Sequence, residues 1–574
     1  MIATPGLALV HGMSRRRWLA LVVTFFLFVG GCAELPAQVE RPVSRALATP
    51  ESTQLGVLTQ TLRRNAVTAD ASGFLLLGGA QEAYSSRLAL VQSAQKTLDL
   101  QYYAIHADAS AGKLLRAIHA TAARGVRVRI LLDDFHSTGR NAAVMRLGFE
   151  PNIEMRMFNP LAGRRGSFFA RMINAVDDAG ALQQRMHNKL FIADNAMGVT
   201  GGRNLGDAYF GAGTDANFVD LDVLAAGPIV KNLSRSFDDY WNDERAYPVQ
   251  SLVTREELDK IRAQARRDLA EEEQAAKAKP PPPDDAPMDL AKARFVWAPA
   301  VVLADKPDKI PLKANGKRVV GAAQPSQPGL VVRGGNSGSL KVADSEDDSV
   351  VDGLLSLFDR ARSELNIVSP YFVPGEDMKR ALSAAHSRGV KVRVLTNSLA
   401  SNDAIAAHAG YARHREELLA MGVELFEMRS DPDGADAGLA GSGSSGSSGS
   451  SKNGSGSSDS QIGGSSRSML HSKLLTIDGR LIVIGSMNLD LRSQLQNTEI
   501  ALLIRSDELS RMANGRIEEA FRAGTWRVEK VNGALIWRAP QGSGLQDSTT
   551  EPQTTLRQRL MMRVISPLAP DRLL

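Results

Sequence analysis

Two segments far apart in this chain of 574 residues have nearly the same layout. One is RMHNKLFIADNAMGVTGGRN (185–204), and the other is MLHSKLLTIDGRLIVIGSMN (469–488). Each contains a histidine, a lysine two positions later, an aspartate beyond a short apolar run, and an asparagine at its end. This duplication constrains the fold strongly, because the chain must form the same local arrangement twice.

The text around the two segments is also repeated. AARGVRVRILLDD (122–134) matches HSRGVKVRVLTNS (386–398), and LDLQYYAIHAD (98–108) matches LNIVSPYFVPG (365–375). In the first pair a helix-like pattern ends at Arg-Gly and a buried-strand pattern follows. The alternation of strand and helix predicts an α/β unit used twice, whose apolar strands are covered by helices on both faces.

The duplicated segments themselves are predicted to be hairpins. Residues two apart in a strand point to the same side, so His187 shares a face with Lys189, and His471 with Lys473. Asp478-Gly479 is typical of a two-residue turn, and Asp194-Asn195 occupies the matching place. The return strands bring four residues back beside the histidine and lysine: Gly202, Asn204, Ser486 and Asn488.

The pattern HxKxxxxD followed by GxxN resembles the HKD motif of the phospholipase D superfamily, whose two-lobed members carry it twice. One copy arises by chance, whereas two copies that each close a repeated α/β unit are specific. The resemblance implies two repeated phospholipase D-type domains, each a mixed β-sheet flanked by helices, packed as a pseudo-twofold pair. It also implies that both motifs converge on one phosphodiester.

The resemblance assigns the chemistry to six residues: His187, Lys189, Asp194, His471, Lys473 and Asp478. One histidine attacks phosphorus and forms a phosphohistidine, and the other protonates the leaving alkoxide and then activates the incoming hydroxyl. The lysines hold the non-bridging oxygens. The family favours the first histidine as the nucleophile, although the residues alone leave the order open. The aspartates have a second explanation, because Asp is a favoured turn residue.

Several further residues are expected to support the site. Asn204, Ser486 and Asn488 would add hydrogen bonds, while Gly202 stands where the family more often has serine, so that its backbone N–H would serve there. Each histidine needs a carboxylate on its second ring nitrogen. Glu499 lies at the family's spacing from His471, and Asp220 aligns in the first half, with Asp222 as its neighbour. Both carboxylates are also explained as ordinary strand-edge residues. No cofactor or metal is implied.

The predicted type of phosphodiester depends on longer sequence segments, which include RMHNKLFIADN, GGRNLGDAYFGA, NFVDLDVLAAGP and WAPAVVLADKPDK. From about residue 70 onward the chain resembles bacterial cardiolipin synthases of the C type. The resemblance implies transfer of a phosphatidyl group from phosphatidylethanolamine or phosphatidylglycerol to phosphatidylglycerol. The alternatives are a phospholipase D hydrolase or secreted nuclease, and an inactive envelope scaffold. Nucleic acid is not expected as a partner, because aromatic residues are only 5% and no basic run interleaved with them flanks the motifs.

The N-terminal region predicts export. Three arginines precede an apolar run, small residues and then Cys32, the only cysteine, in MSRRRWLALVVTFFLFVGGC. VGGC resembles a lipobox, so we expect lipidation of Cys32 and anchoring on the periplasmic side of the inner or outer membrane. An uncleaved anchor or an incidental cysteine is the alternative. The formal charge of +5 suits anionic partners such as lipid headgroups or nucleic acid, although an ordinary surface explains it equally well.

The predicted organisation follows the composition along the chain. In order, we expect a signal peptide (1–31), a tether (32–70), a first phospholipase D-like domain (71–248), an interdomain segment with a Pro-rich run (249–345), a second such domain (346–545) with a Gly/Ser-rich insertion (438–468), and an amphipathic tail (546–574).

The tail is the predicted contact with a membrane. Leu556, Leu560, Val564 and Leu568 recur every four residues, with arginines between them. This spacing predicts an interfacial helix on an anionic bilayer, or a helix packed on the domain, which Pro567 would shorten. The sequence leaves the donor lipid, an accessory protein and the oligomeric state open.

Overall fold

The computed structural model describes residues 35–162, 182–277, 286–314, 317–318, 330–334, 349–431 and 467–571, apart from residues 65, 67 and 69. The predicted signal peptide, Cys32, most of the Pro-rich run and most of the Gly/Ser-rich insertion lie outside these residues. Within the described part, none of the helices combines the length and apolar character needed to cross a bilayer.

The strands that precede residue 300 form the first lobe. They are β1 (Ser72–Leu77), β2 (Thr97–Tyr102), β3 (Arg127–Asp133), β4 (Ile153–Phe158), β5 (Leu190–Ala193), β6 (Met197–Gly201), β7 (Ala216–Val219), β8 (Asp222–Ala226), β9 (Ala246–Pro248) and β10 (Val296–Ala298).

The strands that follow belong mainly to the second lobe. They are β11 (Ala300–Asp305), β12 (Lys313–Ala314), β13 (Lys317–Arg318), β14 (Leu330–Gly334), β15 (Glu364–Val368), β16 (Phe372–Val373), β17 (Lys391–Asn397), β18 (Glu424–Met428), β19 (Arg467–Leu470), β20 (Leu474–Ile477), β21 (Leu481–Gly485), β22 (Leu489–Asp490), β23 (Ile500–Arg505), β24 (Thr525–Val531) and β25 (Ala534–Arg538).

Helices cover both sheets. The α-helices of the described residues are α1 (Gln54–Arg63), α2 (Ala80–Ser93), α3 (Ala109–Ala123), α4 (Pro228–Trp241), α5 (Val249–Leu252), α6 (Arg255–Lys277), α7 (Val350–Phe358), α8 (Glu376–Ser387), α9 (Ile405–Ala420), α10 (Leu491–Leu495), α11 (Asp507–Glu519) and α12 (Leu556–Ile565).

The two sheets have matching strand orders. The first is β10-β1-β8-β6-β5-β2-β3-β4-β9, and the second is β14-β11-β23-β21-β20-β15-β17-β18-β24-β25. In each, three neighbouring strands are parallel (β2, β3 and β4; β15, β17 and β18). The first strand of the motif hairpin, β5 or β20, pairs antiparallel with β2 or β15. The predicted α/β fold of two repeated domains is confirmed.

The repeated Arg-Gly step ends a helix in both lobes. Helix α3 ends before Gly125, and α8 ends before Gly389, whose φ angles are +93° and +84°. A left-handed residue just past a helix satisfies its last carbonyls, and glycine adopts that conformation without steric cost. The chain therefore turns there and enters β3 or β17, which is the middle one of the three parallel strands in its sheet.

A shared core joins the lobes. Ile192 and Val223 of the first sheet belong to the same buried apolar cluster as Val302, Ile484 and Leu502 of the second. Helices α4 and α11 add their apolar faces to this cluster. The two sheets therefore pack against each other instead of forming separate globules, and the motif hairpins lie at the centre of both.

The segment predicted to lie between the domains contributes strands to both of them. Strand β10 pairs with β1 in the first sheet, while β11 pairs with β23 in the second. Only Pro299 separates the two strands, so the chain passes directly from one sheet to the other.

Part of the predicted tether is also built into the first lobe. Arg156 donates to the carbonyl of Pro42, and Arg129 donates to the carbonyl of Ser44. Thr53 caps helix α1, and Leu55 within that helix is buried. This packing could not be predicted from the low apolar content of the segment, because the segment contacts the lobe mainly through its backbone.

Candidate active site

The two motif hairpins have the same turn. Strand pairing ends at Ala193↔Met197 in one and at Ile477↔Leu481 in the other, so three residues form each loop where two were predicted. Asp194 and Asp478 have φ angles of +52° and +53°, which Asp tolerates better than most residues. The sequence predicted the hairpins and their turn residues, but the loop length was wrong by one.

The turn aspartates hold the hairpins to the rest of their lobes. Asp194 accepts hydrogen bonds from the backbone N–H groups of residues 95, 96 and 97 at 2.7–2.9 Å. Asp478 accepts in the same way from residues 362, 363 and 364 at 2.7–3.1 Å. Each lies at the far end of its strand from the histidine. This geometry gives Asp194 and Asp478 an architectural place in the fold, in contrast to the catalytic role predicted for them.

Each motif histidine is held by the opposite lobe. His187 donates its backbone N–H to the carbonyl of Thr498, and its Nδ1 lies 3.0 and 3.1 Å from the two carboxylate oxygens of Glu499. His471 donates its backbone N–H to Val219, and its Nδ1 lies 2.7 Å from Asp220. The sequence grouped Glu499 with the second motif and Asp220 with the first, so the pairing is crossed between the lobes.

Glu499 is held by several donors. The hydroxyls of Ser486 and Ser493 both donate to its carboxylate. Its backbone N–H donates to Asp305, which pairs with Lys309 at 2.8 Å. Burial works against ionisation of Glu499, but the charges of His187 and Lys189 together with these hydrogen bonds lower its pKa to about 2. Glu499 is therefore a carboxylate at neutral pH.

Asp305, Lys309 and Ser493 were missed in the sequence. Asp305 and Lys309 belong to the segment ADKPDK, which the sequence offered only as text resembling the family. A lysine four residues after an aspartate next to an apolar strand was the one available signal, and such pairs are common on surfaces.

Asp220 has a different environment from Glu499. One of its oxygens accepts from the N–H of Leu221 at 2.8 Å, while the other faces His471. A Cβ atom at Gly202 would lie 2.4 Å from the Asp220 carboxylate, so only glycine fits there. Burial opposes ionisation, but the His471 charge and hydrogen bond outweigh it, so that the pKa of Asp220 is lowered.

The neighbouring Asp222 does not face a motif histidine. Its carboxylate pairs with Arg87 at 2.8 Å and with Arg203 at 3.5 Å, and it accepts from the backbone N–H of Arg203. Of the two aspartates that the sequence offered, Asp220 is therefore the one beside an imidazole.

The two asparagines differ in their contacts. Asn204 accepts from the N–H of Ala104 and donates to the hydroxyl of Tyr209, which ties together two segments beside the site. Asn488 is buried, and its side-chain oxygen has no hydrogen-bond partner among the described residues. Asn488 can thus offer that oxygen to a ligand, whereas Asn204 is fully engaged in positioning Tyr209.

Both imidazoles are neutral at neutral pH. Burial lowers the pKa of His187 to about 4, although the Glu499 charge works in the opposite direction. Burial and the charge of Lys473 lower the pKa of His471, with Asp220 opposing them. Since Nδ1 donates to a carboxylate in each case, Nε2 is left with a lone pair. The site therefore presents two nitrogen bases.

The motif lysines lie beside the histidines. Lys189 donates to the carbonyl of His187 at 2.7 Å, and Lys473 donates to the carbonyl of His471. Burial is the largest influence on both, and it lowers the pKa of Lys189 to about 7 and that of Lys473 to about 8. The positive charge of Lys473 also contributes to the lowered pKa of Lys189, in keeping with the crossed pairing of the two motifs.

Aromatic rings wall the site. Tyr103 stands edge-on to His187 at 5.1 Å, and the Lys189 ammonium lies 5.7 Å from the centre of the Tyr103 ring. Tyr209 and Phe218 stand 5.4 and 5.0 Å from His471. The sequence did not single out these rings, because aromatic residues in apolar segments usually indicate core packing.

The arrangement can act on a phosphodiester without further groups. Two lone-pair nitrogens provide a nucleophile and a proton carrier, and two buried ammonium groups provide positive charge for phosphate oxygens. Among the described residues, no group of three His, Cys, Asp or Glu side chains has the spacing to hold a metal ion.

Comparison with protein families identifies the class. A family model described as "Cardiolipin synthase, PLD-like domain" matches residues 88–241 and 354–521, which are the two lobes that carry the motifs. The chain belongs to this family of the phospholipase D type. It is therefore an enzyme of phospholipid phosphodiester chemistry, either a phosphodiesterase or a phosphatidyltransferase.

Individual relatives agree with this assignment. The chain is 32% identical to cardiolipin synthase C of Escherichia coli (strain K12) over 514 residues, which cover 88% of this chain and 96% of that protein. It is 24% identical to a cardiolipin synthase of Geobacillus kaustophilus, over 78% of this chain and 66% of that one. A crystal structure of phosphatidylserine synthase from Haemophilus influenzae superposes with a TM-score of 0.50 at 15% identity, covers 91% of this chain and all of that one, and shows the fold alone.

Proposed function

We propose that this enzyme makes cardiolipin by transferring a phosphatidyl group to phosphatidylglycerol, through a phosphohistidine intermediate. The donor is phosphatidylethanolamine or a second phosphatidylglycerol. The observation that carries the proposal is the crossed pair of neutral histidines, each with its Nδ1 on a carboxylate of the other lobe. The similarity to cardiolipin synthase C of Escherichia coli supports the choice of product.

In the first step, Nε2 of His187 attacks the donor phosphorus. A P–N bond forms, the bond from phosphorus to the headgroup oxygen breaks, and His471 gives a proton to the leaving alkoxide. His471 must take up that proton before the step, and a bound phosphate anion together with Asp220 favours the imidazolium. Attacking and leaving groups lie on opposite sides of phosphorus, which requires two histidines on facing lobes.

In the second step, the glycerol hydroxyl of phosphatidylglycerol attacks the phosphohistidine. His471 removes the hydroxyl proton, the new P–O bond forms, and the P–N bond to His187 breaks. Lys189 and Lys473 stabilise the charge on the non-bridging oxygens in both steps, because buried ammonium groups act with little screening by water. Asn488 is available to hydrogen-bond the bound substrate.

Hydrolysis is the competing second step, since water can attack the same intermediate. His187 and His471 are only 8% and 6% exposed, so the site admits little bulk water before substrate arrives. This burial favours transfer to a bound hydroxyl over release of phosphatidic acid. The phospholipase D hydrolase remains the second candidate for this site.

The setting of the reaction is also a proposal. The basic, apolar and small-residue order that precedes Cys32 supports a lipid-anchored enzyme on the periplasmic side of the bacterial envelope. A phospholipid bilayer is then both its surface and its source of substrate.

Expression in bacteria that lack other cardiolipin synthases tests the function. Lipid extracts should contain cardiolipin with the wild-type chain and none with His187→Ala or His471→Ala. His119→Ala is a matched control, because that histidine lies on the surface with its side chain 52% exposed. Phosphatidic acid without cardiolipin would assign the hydrolase instead.

The intermediate has its own test. Purified enzyme is mixed with phosphatidylglycerol labelled at phosphorus and quenched in alkali, because phosphohistidine survives base. Peptide mapping should place the label on His187. A label on His471 would reverse the two roles, and the absence of any labelled peptide at burst times would contradict the covalent mechanism.

A further inference from the structure

Helix α12 presents its apolar side to solvent. Leu556, Leu560 and Val564 are 75%, 60% and 57% exposed, and Met561 is 40% exposed. At 100° per residue, the first three positions form one continuous stripe along the helix. A helix that only packs on a domain turns such a stripe inward, and here none of its residues is buried.

The opposite side of α12 is fixed to the second lobe. Arg413 of helix α9 donates to the carbonyls of Ser566 and Ala569 just beyond α12. His414 lies 2.9 Å from Asp571, and Arg559 donates to the hydroxyl of Thr550. The helix also begins with a capping box between Thr555 and Gln558. The apolar stripe is thus carried on an anchored helix, which ends at Ile565, just before Pro567.

Positive charge accompanies the stripe. Arg557 and Arg563 are exposed, and each lies next to the stripe on the helix surface. Neither makes an ion pair or hydrogen bond through its side chain within the described part of the chain. Arg413, Arg415 and Arg563 all line the 700 Å³ groove beside α12, but Arg413 and Arg415 are engaged by carboxylates. Arg557 on the outer surface and Arg563 at the edge of the groove therefore keep their charge available for an anion.

The helix is connected to the active site. Helix α9, on which α12 rests, starts two residues after Asp403, whose carboxylate accepts from Tyr371 and whose charge acts on Tyr209 and Lys473. Arg413 lies eight residues along α9, which is about 12 Å. Gln553, just before α12, forms hydrogen bonds with Ser430 and Asp431. The carbonyl of Ser430 accepts from the N–H of Ser468 in strand β19, which leads to His471.

We propose that α12 docks the enzyme on an anionic phospholipid bilayer, with Leu556, Leu560 and Val564 entering the boundary between headgroups and acyl chains and Arg557 and Arg563 contacting lipid phosphates. An apolar stripe edged by cations is the pattern of helices that lie in the plane of a membrane. The inference rests on the proposed function only in taking phospholipid as the substrate. Docking here places a bilayer against the part of the second lobe that carries α9.

A local fluorescence probe tests the docking. Because Cys32 is the only cysteine, the full-length Cys32→Ser chain carries neither a lipid anchor nor a second labelling site. An environment-sensitive dye is attached after Leu560→Cys, or after Val57→Cys as the control, since Val57 is 55% exposed on the distant helix α1. Phosphatidylglycerol vesicles should raise the emission at position 560 and leave position 57 unchanged.

The charge requirement gives a second readout with the same probe. Vesicles of phosphatidylcholine alone should raise the emission at position 560 at least about tenfold less per lipid, and Arg557→Gln with Arg563→Gln should weaken the phosphatidylglycerol response to a similar degree. No response at position 560, or an equal response at position 57, would overturn the proposal. So would sedimentation showing that the stripe is covered by a second copy of the chain in the presence of vesicles.

Turnover separates this inference from the proposed function. In Leu556→Ser with Leu560→Ser and Val564→Ser, the ratio of turnover on vesicles to turnover on dispersed short-chain phosphatidylglycerol should fall about tenfold. An unchanged ratio would contradict docking through α12. A wild-type chain that binds vesicles through position 560 but converts neither substrate would defeat the proposed function while leaving the docking surface intact.

Discussion

Lys189 and Lys473 link the activity of the site to pH. A lysine is cationic below its pKa, and burial lowers these two pKa values to about 7 and about 8. The cationic fraction therefore falls as pH rises through this range. We expect kcat/KM for phosphatidyl transfer to decline on the alkaline side from pH 7 to 8, by about tenfold per pH unit once one lysine is neutral.

The control for this decline is a cation that keeps its proton. Lys189→Arg and Lys473→Arg should each lower the maximal kcat/KM, because guanidinium has a different shape. Lys189→Arg should move the start of the alkaline decline from about pH 7 to about pH 8, whereas Lys473→Arg should leave the start near pH 7, because Lys189 still titrates there. A pH profile measured on dispersed short-chain lipid avoids changes in the bilayer itself. An alkaline limb that stays in place in both arginine variants would assign it to another group.

Gly202 provides a second prediction at the scale of one residue. Gly202→Ser introduces the residue type that the second motif has at Ser486, but its Cβ would lie 2.4 Å from the Asp220 carboxylate. Asp220 must move, and His471 loses its orienting partner. Since a misplacement of about 1 Å can cost about 100-fold, we expect kcat to fall by that order.

The reciprocal change should be mild. Ser486→Gly removes one hydrogen bond to Glu499, which keeps the N–H of its own backbone on Asp305 and the hydroxyl of Ser493. Steady-state kinetics of the two variants, with circular dichroism to confirm folding, should show the asymmetry. If Gly202→Ser lost no more kcat than Ser486→Gly, the added side chain would have been accommodated without moving Asp220.

The histidines and lysines could be predicted from the spacing of the motif together with the family resemblance, although each His–Lys pair lies just before strand β5 or β20 and not within it. The reason for Gly202 could not be predicted. It depends on the Asp220 carboxylate, which reaches the same place from a different strand, and no local pattern encodes that proximity. The aromatic walls at Tyr103 and Tyr209 were hidden for the same reason.

At the scale of elements, the hairpin aspartates predict a loss of stability. Asp194→Ala leaves three backbone N–H groups without their acceptor. Thr97 is buried, whereas Gln95 and Lys96 are exposed, so that water can satisfy their N–H groups. One uncompensated buried donor costs about 1–3 kcal/mol, so urea denaturation should show a loss of that size. The kcat per folded molecule should change little, because the carboxylate does not face the imidazoles.

Asp194→Asn is the matched control, since its amide oxygen can still accept from the same amides. A fall of kcat by orders of magnitude in Asp194→Ala, with unchanged stability, would restore the catalytic role that the motif predicted. The pattern gave the correct residues at these turns, but it does not distinguish a side chain that binds phosphate from one that holds the hairpin.

The strands and helices of each lobe followed from repetition and from the Arg-Gly helix ends. The segments that periodicity described least well are those whose contacts are made by backbone or by short strands. Residues 32–70 were predicted to be a tether because they are polar and contain several prolines, and β11 lies in the segment 249–345 that was predicted to connect the domains. In both cases tertiary pairing, which sequence periodicity does not reveal, decided the outcome.

At the scale of the whole molecule, the crossed carboxylates predict separate roles for the lobes. Glu499→Gln weakens the orienting bond to His187, the proposed nucleophile, whereas Asp220→Asn acts on His471, the proposed proton carrier. With a p-nitrophenyl phosphodiester, whose leaving group needs no protonation, Asp220→Asn should retain a burst of p-nitrophenol. Glu499→Gln should lose that burst.

With the natural lipid, both variants should be slow, because its alkoxide must be protonated as it leaves. Rapid-mixing absorbance measures the burst, and lipid extraction measures the natural reaction. The opposite pattern, with the burst surviving only in Glu499→Gln, would make His471 the nucleophile. Equal bursts in both variants would separate the carboxylates from the chemistry altogether.

The crossing itself lay beyond the sequence. Spacing relates Glu499 to the motif that it follows, and alignment relates Asp220 to the first half, but the backbone bonds His187–Thr498 and His471–Val219 bring each motif to the other lobe. These contacts form only when the two lobes pack against each other, so the sequence of either repeat by itself does not reveal them.

The exchange of carboxylates also bears on how such a chain could arise. A single ancestral half would contain one motif histidine and one carboxylate, but they could not pair with each other within that half. Two copies pressed face to face would complete both sets at once. Gene fusion could then join a working homodimer end to end, after which Gly202 and Ser486 were free to diverge, each matched to the length of the carboxylate beside it.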